Sequence, residues 1–179
     1  MAAHQHDHDC GCHTASSSVH QTLDEMEFDR GLWSAALSGQ EEDVKKRLDK
    51  GDDVNAKDKS GYTALHYAAR SGHLQVCRLL LSHGSDVNSV TNTGQATPLH
   101  RAAYMGHHDL VKLLLQHKAD PLATDADFMT PLHKAAERGH RKSAKILLNA
   151  APKGKLIKDF KSRTPADLAD HSDLKTLLS

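Results

Sequence analysis

One stretch recurs along this 179-residue chain at nearly constant spacing. It is Thr97-Pro98-Leu99-His100-Arg101-Ala102-Ala103-Tyr104-Met105-Gly106-His107. Its counterparts are Leu65-His66-Tyr67-Ala68-Ala69-Arg70-Ser71-Gly72-His73 and Leu132-His133-Lys134-Ala135-Ala136-Glu137-Arg138-Gly139-His140. Leu32 to Gly39 repeats the pattern with Trp33 in the histidine place, and Thr164-Pro165-Ala166-Asp167-Leu168-Ala169 is a shorter last copy. The glycines Gly39, Gly72, Gly106 and Gly139 fall 33, 34 and 33 residues apart. A period of that size belongs to a stack of small units, each unable to bury a core without its neighbours. Composition agrees: 38% hydrophobic residues with 4% aromatics is lean for one deep globular core.

Each unit has a local physical logic. Thr63, Thr97, Thr130 and Thr164 suit helix N-caps, and Pro98, Pro131 and Pro165 suit a first helical position where the missing N–H costs nothing. Paired alanines let neighbouring helices approach closely. After each Gly-His turn a second, more apolar helix follows, as in Leu74 to Leu81 and Leu110 to Leu115. Gly51 and Gly84 stand where that helix should end in a left-handed residue.

The period and the Thr-Pro-Leu-His-x-Ala signature resemble the ankyrin repeat. The resemblance covers residues 31–179 and implies an all-α solenoid of about four and a half helix-turn-helix units with short hairpin-like loops. Units are expected near 31–57, 58–90, 91–124 and 125–158, with a partial unit at 159–179. Three departures carry expectations. Ala96 lengthens the loop before Thr97 by one residue. Phe128 stands where Gly61 and Gly94 stand, so the tip before Thr130 is expected to be bent or looser. Pro152-Lys153-Gly154-Lys155 interrupts the fifth unit, whose short final helix has only Leu174, Leu177 and Leu178 to bury, so that end is expected to be the least stable.

Ahead of the repeats, residues 1–20 contain no Lys or Arg and almost no large apolar residue, and read as a flexible tail. Residues 21–30, with Leu23, Met26 and Phe28 among acids, read as an N-terminal cap. In the tail, His4, His6, His8, Cys10, Cys12 and His13 are zinc- or copper-ligand types crowded into ten residues. A structural zinc site needs ligand pairs held apart by folded chain, so an incidental chelator is the reading, with a metal-responsive protein as the alternative. No resident metal or cofactor is expected.

Lys plus Arg equals Asp plus Glu at 23 each, so any preference for nucleic acid or an acidic surface must come from local clustering. Neither a long apolar run nor a secretory signal is visible, and three cysteines are too few for a disulfide framework. The expectation is a monomeric intracellular protein of the cytoplasm, with or without entry to the nucleus, and no membrane partner.

In an ankyrin-like stack, loop tips and the exposed side of each first helix form a concave surface. Repeat position assigns Tyr62, Tyr67, Arg70, Arg101, Tyr104, Met105, Phe128, Met129, Lys134 and Arg138 to it. Aromatics and arginines on an exposed face suit a protein-binding hot spot. Lys59, Arg70, Arg101, Lys134 and Arg138 outnumber Asp127 and Glu137, which points to a partner with an acidic, extended segment. Mixed charge without a groove-sized basic stripe argues against nucleic acid. His66, His100 and His133 are expected to bond neighbouring loops, and Cys77 to be a buried thiol. No nucleophile-base motif, phosphate loop or twin carboxylate is present, so an adaptor or regulator without enzymatic activity is expected.

Overall fold

The computed structural model describes residues 31–178, and the expected tail and cap lie outside that range. The described residues are helical and contain no strand. Inner helices α1 (Leu32–Ser38), α3 (Ala64–Ser71), α5 (Pro98–Met105) and α7 (Pro131–Glu137) alternate with outer helices α2 (Glu41–Asp49), α4 (Leu74–Ser82), α6 (His108–Gln116) and α8 (Arg141–Ala150). A 3-10 turn (Pro152–Leu156), α9 (Pro165–Leu168) and α10 (Ser172–Leu178) complete the order. Each inner helix packs on the next, α1 on α3 through to α7 on α9, and the outer helices form a second layer behind them. Close approach in the inner layer follows from alanine: Ala68, Ala69, Ala102, Ala103, Ala135 and Ala136 have no exposed surface.

Repetition of the motif has a hydrogen-bond explanation. The Thr97 hydroxyl accepts the His100 N–H, and the Thr97 N–H donates to His100 Nδ1 at 3.2 Å, a capping box in which histidine takes the usual Glu or Gln place. A nitrogen that accepts a backbone N–H carries no proton, so Nε2 carries it. Nε2 then donates to the carbonyl of the next unit: His66 to Ala96 at 3.0 Å, His100 to Met129 at 2.9 Å, His133 to Arg163 at 3.3 Å. In the first unit the Trp33 indole N–H makes a different bond, to the Ala56 carbonyl at 3.0 Å, in the loop at the end of its own unit. Gly106, with φ of 78°, closes α5; a Cβ there would stand 2.6 Å from the His140 ring, whose Nε2 donates to the Tyr104 carbonyl. One histidine therefore ties the finger of a unit to the next, and the other ties the interhelical turns together.

The fingers correct two expectations. The tip before Thr130 is neither bent nor loosened. Its closing bonds, Phe128 N–H to Asp125 O at 2.9 Å and Asp125 N–H to Met129 O at 3.0 Å, match Gly61 to Asp58 and Asp58 to Tyr62, both 2.9 Å. Phe128 adopts the left-handed conformation itself, at φ of 56°, so strain is held in one residue and not spread through the turn. In the longer finger the left-handed residue is Gln95, at φ of 47°, and not Gly94. Gly51 and Gly84 end their outer helices left-handed, at 92° and 84°.

Candidate functional site

Inner helices advance by one repeat at a time, so equivalent residues form rows across the concave face. Tyr67, Arg101 and Lys134 make one row; Arg70, Tyr104 and Glu137 the next; Ser71, Met105 and Arg138 the outermost.

The first row is consumed by the fold. Tyr67 donates its hydroxyl proton to Asp58 Oδ2 at 2.6 Å, and partial burial together with that carboxylate pushes the phenol above its ordinary range. The Arg101 guanidinium lies 5.0 Å from the centre of the Tyr62 ring and donates to its hydroxyl, while Tyr62 leans on Tyr67 at 5.4 Å. Lys134 Nζ is 2.8 Å from Asp125 Oδ2 and 3.2 Å from Met129 Sδ. Every member of this row braces an inner helix against a finger.

The outer rows are open. Arg70, Met105, Glu137 and Arg138 are exposed, and Tyr104 is half-buried with the Arg138 guanidinium 4.8 Å from its ring centre. At the tips Phe128 is 59% exposed. Met129 corrects its expected place on the surface: it is buried at 5% exposure, beneath Lys134. The residues before Thr97, Thr130 and Thr164 offer their carbonyls to the preceding histidine, and Met129 occupies that inward position just as Ala96 does.

The expected positive balance is reduced to five cations against four acids. Asp58 and Asp125 belong to the same face, and Asp125, buried at 7% exposure, neutralises Lys134 at close range. A sequence signal existed for both acids, since Asp58, Asp125 and Asp159 each stand five residues before a capping threonine. Asp159 pairs likewise, with Arg163 Nη2 at 2.7 Å.

The histidines and the cysteine are held in structural roles. Burial, opposed by the carbonyl bonds, lowers His66 and His100 to about 4, and burial also lowers His133. Cys77 is fully buried and its thiol is pushed up to about 12. Among the described residues no three His, Cys, Asp or Glu side chains gather to hold a metal. His4, His6, His8, Cys10, Cys12 and His13 lie outside the described residues. No helix among the described residues is long and apolar enough to cross a membrane.

Residues 32–125 match the family model described as ankyrin repeats (3 copies), and residues 127–155 match the single ankyrin repeat. The chain belongs to the ankyrin-repeat family. It is similar to ankyrin repeat domain-containing protein 39 of Homo sapiens, with 49% identity over 83 residues that cover 46% of this chain and 45% of that protein. The Bos taurus protein of that name is 53% identical over 64 residues, 36% of this chain and 35% of its own length. Protein phosphatase 1 regulatory subunit 12A of Mus musculus is 41% identical over 64 residues, covering 36% of this chain and 6% of that protein. The chain thus spans less than half the length of the curated relatives it matches. The ankyrin stack makes this region a protein-protein interaction module. Within it, the open ankyrin positions are Arg70, Tyr104, Met105 and Arg138, with Phe128 exposed at a tip, and the remaining expected residues, Tyr62, Tyr67, Arg101, Met129 and Lys134, are occupied in holding the stack together.

Proposed function

We propose that the protein is a non-enzymatic adaptor or regulator that grips a partner segment on the concave face of its ankyrin stack. The observation that carries this reading is the Tyr104-Arg138 stack, flanked by exposed Met105 and Arg70. An aromatic ring with a guanidinium across it presents a large, pre-ordered contact with few rotamers to freeze. Because Lys134 and Arg101 are engaged within the fold, the cations left for an acidic partner segment are Arg70 and Arg138. One relative is by name a phosphatase regulatory subunit, which agrees with a regulator.

The test compares partners captured by the wild type and by the Arg70→Ala, Tyr104→Ala, Arg138→Ala triple variant, with Asp58→Asn as a fold-bracing control. Loss of a reproducible partner set from the triple variant, with retention by the control, is expected. An unchanged set in the triple variant would sink the assignment of this surface.

A further inference from the structure

A net charge of zero conceals a separation along the chain. Residues 1–30 carry one Lys or Arg against six Asp or Glu, whereas residues 134–163 carry ten against two. The local clustering that whole-chain charge left open lies at the C-terminal end of the stack.

Exposed apolar side chains lie in the same place. The large hydrophobics standing out among the described residues are Val90, Met105, Phe128, Leu156 and Phe160, and the last three belong to the final two fingers and the 3-10 turn that leads from α8 into the last of them. Gly154 anchors that turn inward, with a Cβ there falling 3.4 Å from Leu122 and 3.5 Å from Leu132. In a 3-10 turn residues three apart share a face, so Lys153 and Leu156 project together, and Leu156 is 71% exposed. Four residues on, Phe160 is 57% exposed with Lys161 Nζ 5.2 Å from its ring centre. The Phe160 N–H donates to the Asp127 carbonyl at 3.1 Å, which sets this tip against the one that presents Phe128. Lys158, between Leu156 and Phe160, is exposed.

Against the expectation of no membrane partner, we propose that this corner, formed by Lys153, Leu156, Lys158, Phe160 and Lys161 with Phe128 beside it, docks on the surface of an anionic phospholipid bilayer. Lysines interleaved with projecting Leu and Phe side chains match that medium: the ammonium groups meet the headgroups while the apolar side chains enter the acyl boundary. The rings of Phe128 and Phe160 are also surfaces on which bases stack, so single-stranded RNA is the competing occupant, while Leu156, the most exposed of the three at 71%, fits an acyl boundary and not a base. The side chains stand out from loops, where an extended peptide would need a groove to line. The concave rows take no part, so this surface and the partner-binding face fail or stand separately.

The experiment is flotation of the full chain with phosphatidylcholine vesicles, with or without roughly a third phosphatidylserine. Binding is expected only to the anionic vesicles, and to weaken as salt rises from about 0.1 M to about 0.5 M. Lys153→Gln, Lys158→Gln and Lys161→Gln combined should weaken it by more than about tenfold. Leu156→Ala with Phe160→Ala should do the same. Leu156→Ala alone, at the most exposed of these sites, provides a variant whose melting curve matches the wild type and whose binding is still reduced several-fold. Failure to float with anionic vesicles would overturn the proposal. So would binding that ignores the apolar substitutions, or displacement of the protein from vesicles by single-stranded RNA.

Discussion

Phe128 and Gly61 hold the same place in the turn under opposite constraints. Gly61 has φ of 82°, and a Cβ there would stand 2.5 Å from the Asn92 backbone nitrogen of the next finger. Gly61→Ala should therefore cost about 1–3 kcal/mol, read as a lower urea midpoint. Phe128 keeps its left-handed conformation with its ring in solvent, so Phe128→Gly should raise stability by roughly 0.5–1 kcal/mol in the same measurement. His66 and His100 carry a pH dependence. Both are neutral in the fold, with values lowered to about 4 from an ordinary 6.5, so the unfolded chain binds more protons between those limits. Stability is present in full above about pH 6.5 and falls as pH drops toward 4, by up to about 1.4 kcal/mol per pH unit for each histidine. Urea midpoints that do not fall between pH 7 and pH 5 would contradict this.

Between elements, side-chain amides and ion pairs set the register of one unit on the next. Asn88 donates to the Lys118 carbonyl at 3.2 Å and accepts the Asp120 N–H at 2.9 Å, and Asn55 makes the same pair of bonds to Gly84 and Asp86. Asn88→Ala removes two bonds across one junction and should cost about 1–3 kcal/mol, with hydrogen exchange accelerated most around residues 118–120. Lys134→Ala leaves the buried Asp125 carboxylate without its cation, so it should lower the melting temperature while partner capture is retained. These bracing roles were partly legible in the sequence. Asp58, Asp125 and Asp159 recur at one repeat position, but nothing local to them says which side chain a finger meets when it folds back over a helix.

At the scale of the molecule, stability in a stack follows the neighbours each unit has. α5 and α6 are covered on both sides, whereas α9 is four residues long and α10 closes the described chain with Leu174 and Leu178 buried and Leu177 half-buried. Amides of residues 165–178 should exchange first and those of α5 and α6 last; uniform protection across the stack would contradict this. Charge is distributed on the same scale, with an acidic beginning, a near-neutral middle, a basic stretch at 134–163 and a mildly acidic segment after it. A total of zero is silent about that distribution, because a sum discards position.

The repeat period, the capping threonines, the left-handed glycines at 51 and 84 and the histidine ties all follow from the order of residues, since each depends on partners at a fixed offset in a regular stack. The all-α architecture was therefore available from the sequence alone. Rank among the surface residues was not. Tyr67, Arg101 and Lys134 carry the same chemistry as Arg70, Tyr104 and Arg138, and Met129 is apolar like Met105. Whether such a side chain faces a partner or its own finger turns on a few ångströms between segments distant in the chain. Only the packed structure brings Asp58 under Tyr67 and Asp125 under Lys134, and leaves Arg138 lying across Tyr104.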